Sequence, residues 1–523
     1  MNSSTLLSDL SFWQQVMHHL PALLIIIPLI SAPICVIVRH RVTTWVIAVS
    51  ASLLCVAISF LLLMQVQDGS VIHYNLGGWD APTGIEYYID ITNALIVLLV
   101  SSISAVVGFY SLPSIEKEIH KEKHYLFYTG WLLLLTGLLG IAITGDAFNV
   151  FVFLEISSLS TYMLIALGRE KPHAFMAAFR YLIMGSIGAS FILMGIGFLY
   201  AATGTLNMQD LAERISNTQG SRTLVVAFAF ISVGILIKIA MFPVHNWLPN
   251  AYQFSPSAIN SFLSGTATKV SLYVLIRFTF NIFGTDYSFS HILLSKALLP
   301  LAVAGFLIMS VVAIFQTDLR RLLAYSSIAQ VAYIVAGLSM ASQAGLSASL
   351  IHIINHGLIK TALFMATGCI MYQIGTVHIL SLRQLISTMP ITTSAFIVGG
   401  LSLVGLPLTA GFVSKWALIS ASFDQDKWWL VILILCSSLF AIMYIGKVIQ
   451  MMCFSPIANN SNKNNNSSQS SGQSTISSIQ EAPPIMLAST WLILVASLYI
   501  GLNSSPLVEL TQQAALQILG GIK

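Results

Sequence analysis

Charge is what this sequence has least of. Of 523 residues only 8% are Asp, Glu, Lys or Arg, while 56% are hydrophobic; soluble domains carry roughly 25% charged residues. So few charges cannot cover a globular surface, and lipid must be the solvent for most of it. The formal net charge of +4 is small, and the basic residues lie in short loops between apolar runs, without a patch of interleaved aromatics. Both features argue against nucleic acid as a partner. Cysteine is also scarce: Cys35, Cys55, Cys369, Cys436 and Cys453 sit in or beside apolar runs with no CxxC spacing, which indicates neither a disulfide framework nor a thiolate metal site. No nucleotide, flavin, haem or iron-sulfur motif is visible, so no cofactor is expected. The first apolar run, Leu20 to Val38, lacks a basic segment before it and a small-residue cleavage pattern after it, and reads as a retained helix.

What is abundant is apolar runs of membrane-spanning length, about 20 residues each. They begin near Leu20, Thr44, Ile91, His124, Ala147, Tyr181, Arg222, Phe254, Ile292, Leu319, Leu346, Ile391, Trp428 and Ile485. The fold expected is therefore an all-α polytopic membrane protein of about fourteen transmembrane helices, because lipid leaves the backbone no simpler way to satisfy its polar groups. Arg39 and Arg41, then Lys117, Lys121 and Lys123, then Arg169, Lys171 and Arg180, then Arg320 and Arg321, then Arg383 fall on alternate loops. Those loops are assigned to the cytoplasm, which places both termini outside. Tyr74, Gly77, Gly78, Pro82 and Tyr87 in one intervening loop suggest a small external hairpin. Asn459 to Ser478 is almost wholly Asn, Ser and Gln, the composition of a disordered cytoplasmic linker.

Proline and glycine interrupt two spans: Pro243 and Pro249 in the seventh, Gly405, Pro407 and Gly411 in the twelfth. Interruptions in corresponding places of two halves point to inverted repeats with broken helices at an ion path. Charges also occur where they are costly. Glu155 lies mid-span, and so do Lys238, Lys269, Lys360 and Lys415. At roughly 2.5 to 3.5 kcal/mol each, five such charges cost about 12 to 18 kcal/mol, more than the roughly 5 to 15 kcal/mol that holds a domain folded. They must be paired, hydrated or partly neutral, and a row of such groups can hand protons along. His352, His356 and Lys360 follow i, i+4, i+8 spacing, one stripe of the eleventh helix turned toward the bundle interior. With no HExxH glutamate and no evident third ligand, a proton relay suits this stripe better than a metal. His245 and Trp247, between Pro243 and Pro249, are candidates for a cap or gate, with Pro243 and Pro407 at the breaks themselves. Asp146 reads as a residue at a helix N-terminus.

The span around Glu155, the stretch Lys238-Ile-Ala-Met-Phe-Pro-Val-His-Asn-Trp-Leu-Pro, the Ser255-Pro-Ser that follows and Lys269 together resemble the antiporter-like subunits shared by complex I and the Mrp-type multi-subunit Na+/H+ antiporters. The resemblance runs from about Gly130 to Lys447. It implies two inverted five-helix repeats with broken helices seven and twelve, at 124–280 and 281–454. Helices 1–3 would occupy 1–123, the linker 455–483 and a last helix 484–523. It further implies that Glu155 and Lys238 interact as a pair and that Lys269 and Lys415 continue a hydrated axis across the midplane. His352, His356 and Lys360 look like the histidine and lysine positions of the longest family members, whose long lateral C-terminal helix is lacking here. Lys415 and the chain length are similar to the D-subunit branch of the Mrp antiporters. The implied activity is proton translocation in a monovalent cation/H+ antiporter of a prokaryotic cytoplasmic membrane, among other membrane subunits. The alternative is a pumping subunit of a complex I-like NADH:quinone oxidoreductase or membrane-bound hydrogenase.

Overall fold

The computed structural model describes residues 16–168, 171–217, 221–292, 294–455 and 480–520. The expected linker, Asn459 to Ser478, lies outside them. From the N-terminus the chain forms α1 (Leu20–Val38), α2 (Arg41–Val66), a hairpin of β1 (Ile72–Asn75) and β2 (Glu86–Ile89), α3 (Ile91–Glu118), α4 (His124–Ile143), α5 (Ala147–Ala166) and α6 (Lys171–Thr203). A short α7 (Met208–Asn217) precedes α8 (Arg222–Lys238), α9 (Trp247–Phe254), α10 (Ser257–Gly265) and α11 (Ala267–Ile276). The second half contains α12 (Leu294–Ile314), α13 (Leu319–Leu338), α14 (Gln343–Ile374), α15 (Pro390–Val404), α16 (Ala410–Phe423), α17 (Trp428–Cys453), α18 (Pro484–Leu502) and α19 (Ser505–Leu519). Among the described residues, 11 helices are long and apolar enough to cross a membrane. Three further pairs of shorter helices follow one another across a break, α8 with α9, α10 with α11, and α15 with α16.

Helix starts are written into the sequence. Asp90, Asp146, Asp318 and Ser342 cap α3, α5, α13 and α14, each accepting a bond from a backbone N–H three residues on. This satisfies donors that a helix N-terminus leaves unpaired. Asp146 is thus a cap, as its position suggests. The hairpin forms with Ile72 opposite Ile89 and Asn75 opposite Glu86.

Burial orders the bundle. The apolar stretch of α14 is 100% buried and that of α13 89%, against 39% for α1, α6 and α17. The helix that carries the histidine stripe is therefore the central one. Three of the loops assigned to one side by their basic residues meet on one face: Arg41 pairs with Glu116 at 2.6 Å, Glu118 accepts from Ser257 N at 2.8 Å, and Arg320 donates to Ser255 O at 3.1 Å. On the opposite face Asn207 donates to Glu86 at 2.7 Å and Gln517 to Gly69 O at 2.8 Å.

Three details differ from expectation. The sixth span starts at Lys171, so Arg180 is not a loop residue; it lies on the exposed side of α6, where a long aliphatic stem can carry the guanidinium toward water. Arg320 is in the first turn of α13 and buried, because backbone carbonyls of the 253–255 segment receive it. The last segment is two helices, α18 and α19, with Pro506 starting the second.

Gly411 shows how closely the twelfth-span break is packed. A Cβ there would lie 1.8 Å from Ser402 O, whereas one at Gly197 would meet nothing within 4 Å. Gly411→Ala should cost about 1–3 kcal/mol through overpacking, read as a lower apparent melting temperature in detergent. Gly197→Ala should hold that temperature or raise it slightly, since alanine is the better helix former.

Candidate functional site

The site is built on helix breaks. A broken helix leaves carbonyls without donors and a partial negative charge at the C-terminal end of its first half. Three of the four mid-span lysines sit at such ends. Lys238 is the last residue of α8. The Lys269 ammonium bonds Ser264 O, next to the end of α10, and Thr268 Oγ1 at 3.4 Å. Lys415 donates to Val404 O, the last residue of α15, at 2.7 Å and to Ser438 Oγ at 3.3 Å, and lies 5.6 Å above the Tyr333 ring. Lys415 is 6% exposed and does not reach for an interface. Lys360 donates to Leu323 O at 2.9 Å and also bonds Ser326 Oγ, both on α13.

Lys238 and Glu155 meet as the resemblance implies, with Nζ 3.8 Å from Oε1, and Lys238 also donates to Ser158 Oγ at 2.7 Å. Their surroundings are unequal. The Lys238 side chain is 4% exposed and that of Glu155 28%, so the carboxylate stands at the lateral surface of the bundle, beside the exposed Val152 and Leu159. It is mid-span, yet it is not the most buried carboxylate.

On α14 the rings of His352 and His356 stack at 5.8 Å and 5°. His352 Nδ1 bonds Ser414 Oγ at 2.8 Å, while neither ring nitrogen of His356 has a partner among the described residues. His356 lies within electrostatic reach of Lys269, Lys360 and His352, and His352 of Lys269 and Lys415. The stripe thus joins the second break to the third. Lys238 and Lys269 share no contact among the described residues.

The residues expected at gates divide. Trp247 is buried, donates from its indole to Ile237 O at 3.0 Å and stacks on Tyr181 at 4.1 Å; it caps the broken end of α8. His245 is buried between Phe242 and Tyr325. Pro243 and Pro407 are exposed.

Sequence reasoning missed a buried ion pair, Asp90 with Arg277 at 2.5 Å. Asp90 is 187 residues from its partner, and at a helix start it carries no local mark of the pairing. The signal available was on the other side: Lys269, Tyr273, Arg277 and Asn281 recur every fourth residue. No group of three or more His, Cys, Asp or Glu that could hold a metal ion occurs among the described residues.

Comparison with known proteins bears on the family and the fold. Residues 144–441 match the family described as NADH:quinone oxidoreductase/Mrp antiporter, transmembrane. The chain is 39% identical over 435 residues, 83% of its own length and 86% of the relative's, to the N subunit of the NADH-quinone oxidoreductase of Desulforudis audaxviator. It is 32% identical over the same shares to the D subunit of the Na(+)/H(+) antiporter of Alkalihalophilus pseudofirmus. Among solved structures, a chain of the archaeal membrane-bound sulfane sulfur reductase superposes with a TM-score of 0.85 at 30% identity, covering 95% of this chain and 97% of that one. The Mrp complex of Dietzia gives 0.86 at 23% identity over 96% and 98%, a likeness of fold. With its broken helices, its Glu155–Lys238 pair and matched segments that cover most of its length, the chain belongs to the NADH:quinone oxidoreductase/Mrp antiporter transmembrane family.

Proposed function

We propose that this chain is the proton-translocating subunit of a multi-subunit monovalent cation (Na+)/H+ antiporter in a prokaryotic cytoplasmic membrane, with both termini outside. The observation that carries the reading is the row of buried titratable groups, Lys269, His356, Lys360, His352 and Lys415, each in electrostatic reach of another; the Glu155–Lys238 pair stands apart from it, toward the lateral surface. Lysines held on carbonyls at helix breaks can lose and regain a proton without rebuilding the fold, which a relay requires and a scaffold does not. Glu155 at the bundle edge would meet a neighbouring membrane subunit. Protonation changes at Lys238 would alter its attraction to Glu155 and shift protons along the row. The energy would come from the transmembrane gradients, whose electrical part is worth about 2.3 kcal/mol per charge per 100 mV.

A second reading has its own support in the relative named as an NADH-quinone oxidoreductase subunit at 39% identity. There the chain would pump protons within a redox complex and do no redox chemistry itself. A solute symporter would need a midplane cavity for an organic substrate, and the row of lysines suits protons better.

Everted vesicles carrying the whole set of neighbouring subunits separate the two. A sodium pulse should collapse a preformed pH gradient, while NADH should drive no proton uptake. Uptake driven by NADH, with no response to sodium, would replace the antiporter reading with the redox one.

A further inference from the structure

Two buried charges on the hairpin-bearing face lie outside the row of groups assigned to proton transfer. Asp90 and Arg277 are 2% and 4% exposed and 2.5 Å apart. The guanidinium also donates to Tyr273 Oη at 2.8 Å and to Asn281 Oδ1 at 3.3 Å, and lies over the rings of Tyr88 and Tyr273 at 5.5 and 5.1 Å. Replacing a buried ion pair by apolar residues of similar volume is often neutral or stabilising, so stability alone does not account for it.

Its position does. Lys269, Tyr273, Arg277 and Asn281, four residues apart, form one stripe along a helix, and at 1.5 Å per residue Arg277 stands about 12 Å from Lys269. From Arg277 to Ile282 the backbone adopts π-helical bonding, a distortion frequent at functional sites. Against Arg277 lies a cavity of about 10 Å³, lined also by Glu86, Tyr88, Thr144 and Tyr273, close to the room one water needs. It shares Gln209 and Asn281 with a vestibule of about 960 Å³ whose walls include Asp210, Glu213 and Asp286.

We propose that the Asp90–Arg277 pair gates a proton outlet running from Lys269 along Tyr273, Arg277 and Asn281 into this acidic vestibule. The inference rests on the reading of Lys269 as a relay member. The Lys269 ammonium gives its proton to water and is left as a neutral amine; the proton travels on as hydronium. Arg277 stays protonated throughout and acts by its field. Held across the stripe by Asp90, it repels cations, as an arginine does in aquaporin-type pores. Released toward the vestibule carboxylates, it lets the proton pass.

The test uses sealed vesicles containing the assembled complex, without sodium or an electron donor. Arg277→Gln at native assembly should raise passive proton leak down an imposed pH gradient about tenfold, a barrier change of roughly 1.4 kcal/mol. Tyr273→Cys, which leaves Arg277 its bonds to Asp90 and Asn281, reports access: a membrane-impermeant thiol reagent applied from the hairpin side should leave it unmodified unless Arg277→Gln is also present. Asn281→Cys, at the vestibule, should react in both backgrounds. Should Arg277→Gln fail to assemble, the uncharged Arg277→Met should give the same leak, since the field that closes the path is lost with the guanidinium. Unchanged leak and labelling would leave the pair as packing and sink the gate, as would labelling of Tyr273→Cys in the otherwise native chain. Neither readout depends on which assembly the chain serves; loss of the sodium response with these results intact would count against the antiporter reading alone.

Discussion

Lys238→Ala should cut sodium-driven proton movement in everted vesicles by about a hundredfold or more, the range that loss of a positioned proton-transfer group carries. The side chain is 4% exposed, with its ammonium 3.8 Å from Glu155 and bonded to Ser158, and alanine leaves no titratable group in its place. The decisive companion is Lys238→Arg. A guanidinium keeps the positive charge and can still pair with Glu155, but it does not deprotonate in proteins. If the pair serves only packing, arginine should restore exchange. If Lys238 must release a proton in each cycle, Lys238→Arg should assemble normally and exchange as poorly as Lys238→Ala. Full exchange in Lys238→Arg at equal assembly would remove Lys238 from the relay.

The second large effect is expected at His356. Its two ring nitrogens are buried without partners among the described residues, yet three titratable side chains, Lys269, Lys360 and His352, act on it electrostatically. Leaving a buried polar group unpaired costs about 1–3 kcal/mol, so the position is poorly explained by stability. His356→Phe keeps a planar ring to stack on His352 and removes both nitrogens. Assembly and melting temperature should hold or improve, while exchange falls by about a hundredfold. Undiminished exchange in His356→Phe would remove His356 from the row and reduce its ring to packing.

Both positions were legible in the sequence, and the reason is local. A lysine or glutamate inside an apolar run stands out against its neighbours, and i, i+4, i+8 spacing alone puts His352, His356 and Lys360 on one stripe. The breaks of the seventh and twelfth spans were legible for the same reason, since Pro243 and Pro407 lack the N–H that continues a helix and glycine, as at Gly405, readily takes the left-handed conformation that ends one. The break at Gly265 in the eighth span has no proline to mark it. There α10 presses so close to α14 that a Cβ on Gly265 would lie 2.1 Å from Thr361 Oγ1, a contact between residues far apart in the chain. Arg180 misled the loop assignment because a hydropathy run is cut short by a charge that the helix itself tolerates.

By itself the sequence determined the solvent and the class: 8% charge forces the surface into lipid, long apolar runs force helices, and the few charges inside those runs are the groups from which the proposed proton path is drawn. Only the tertiary structure decided which of those charges meet. Glu155 is mid-span by count but lies at the bundle edge. Lys415 is near a helix end by count but is held inside on Val404 O. Asp90 and Arg277 carry no sign of each other until α3 and α11 are packed side by side. Periodicity fixes the direction a side chain takes from its own helix, whereas its partner is set by which helices come together.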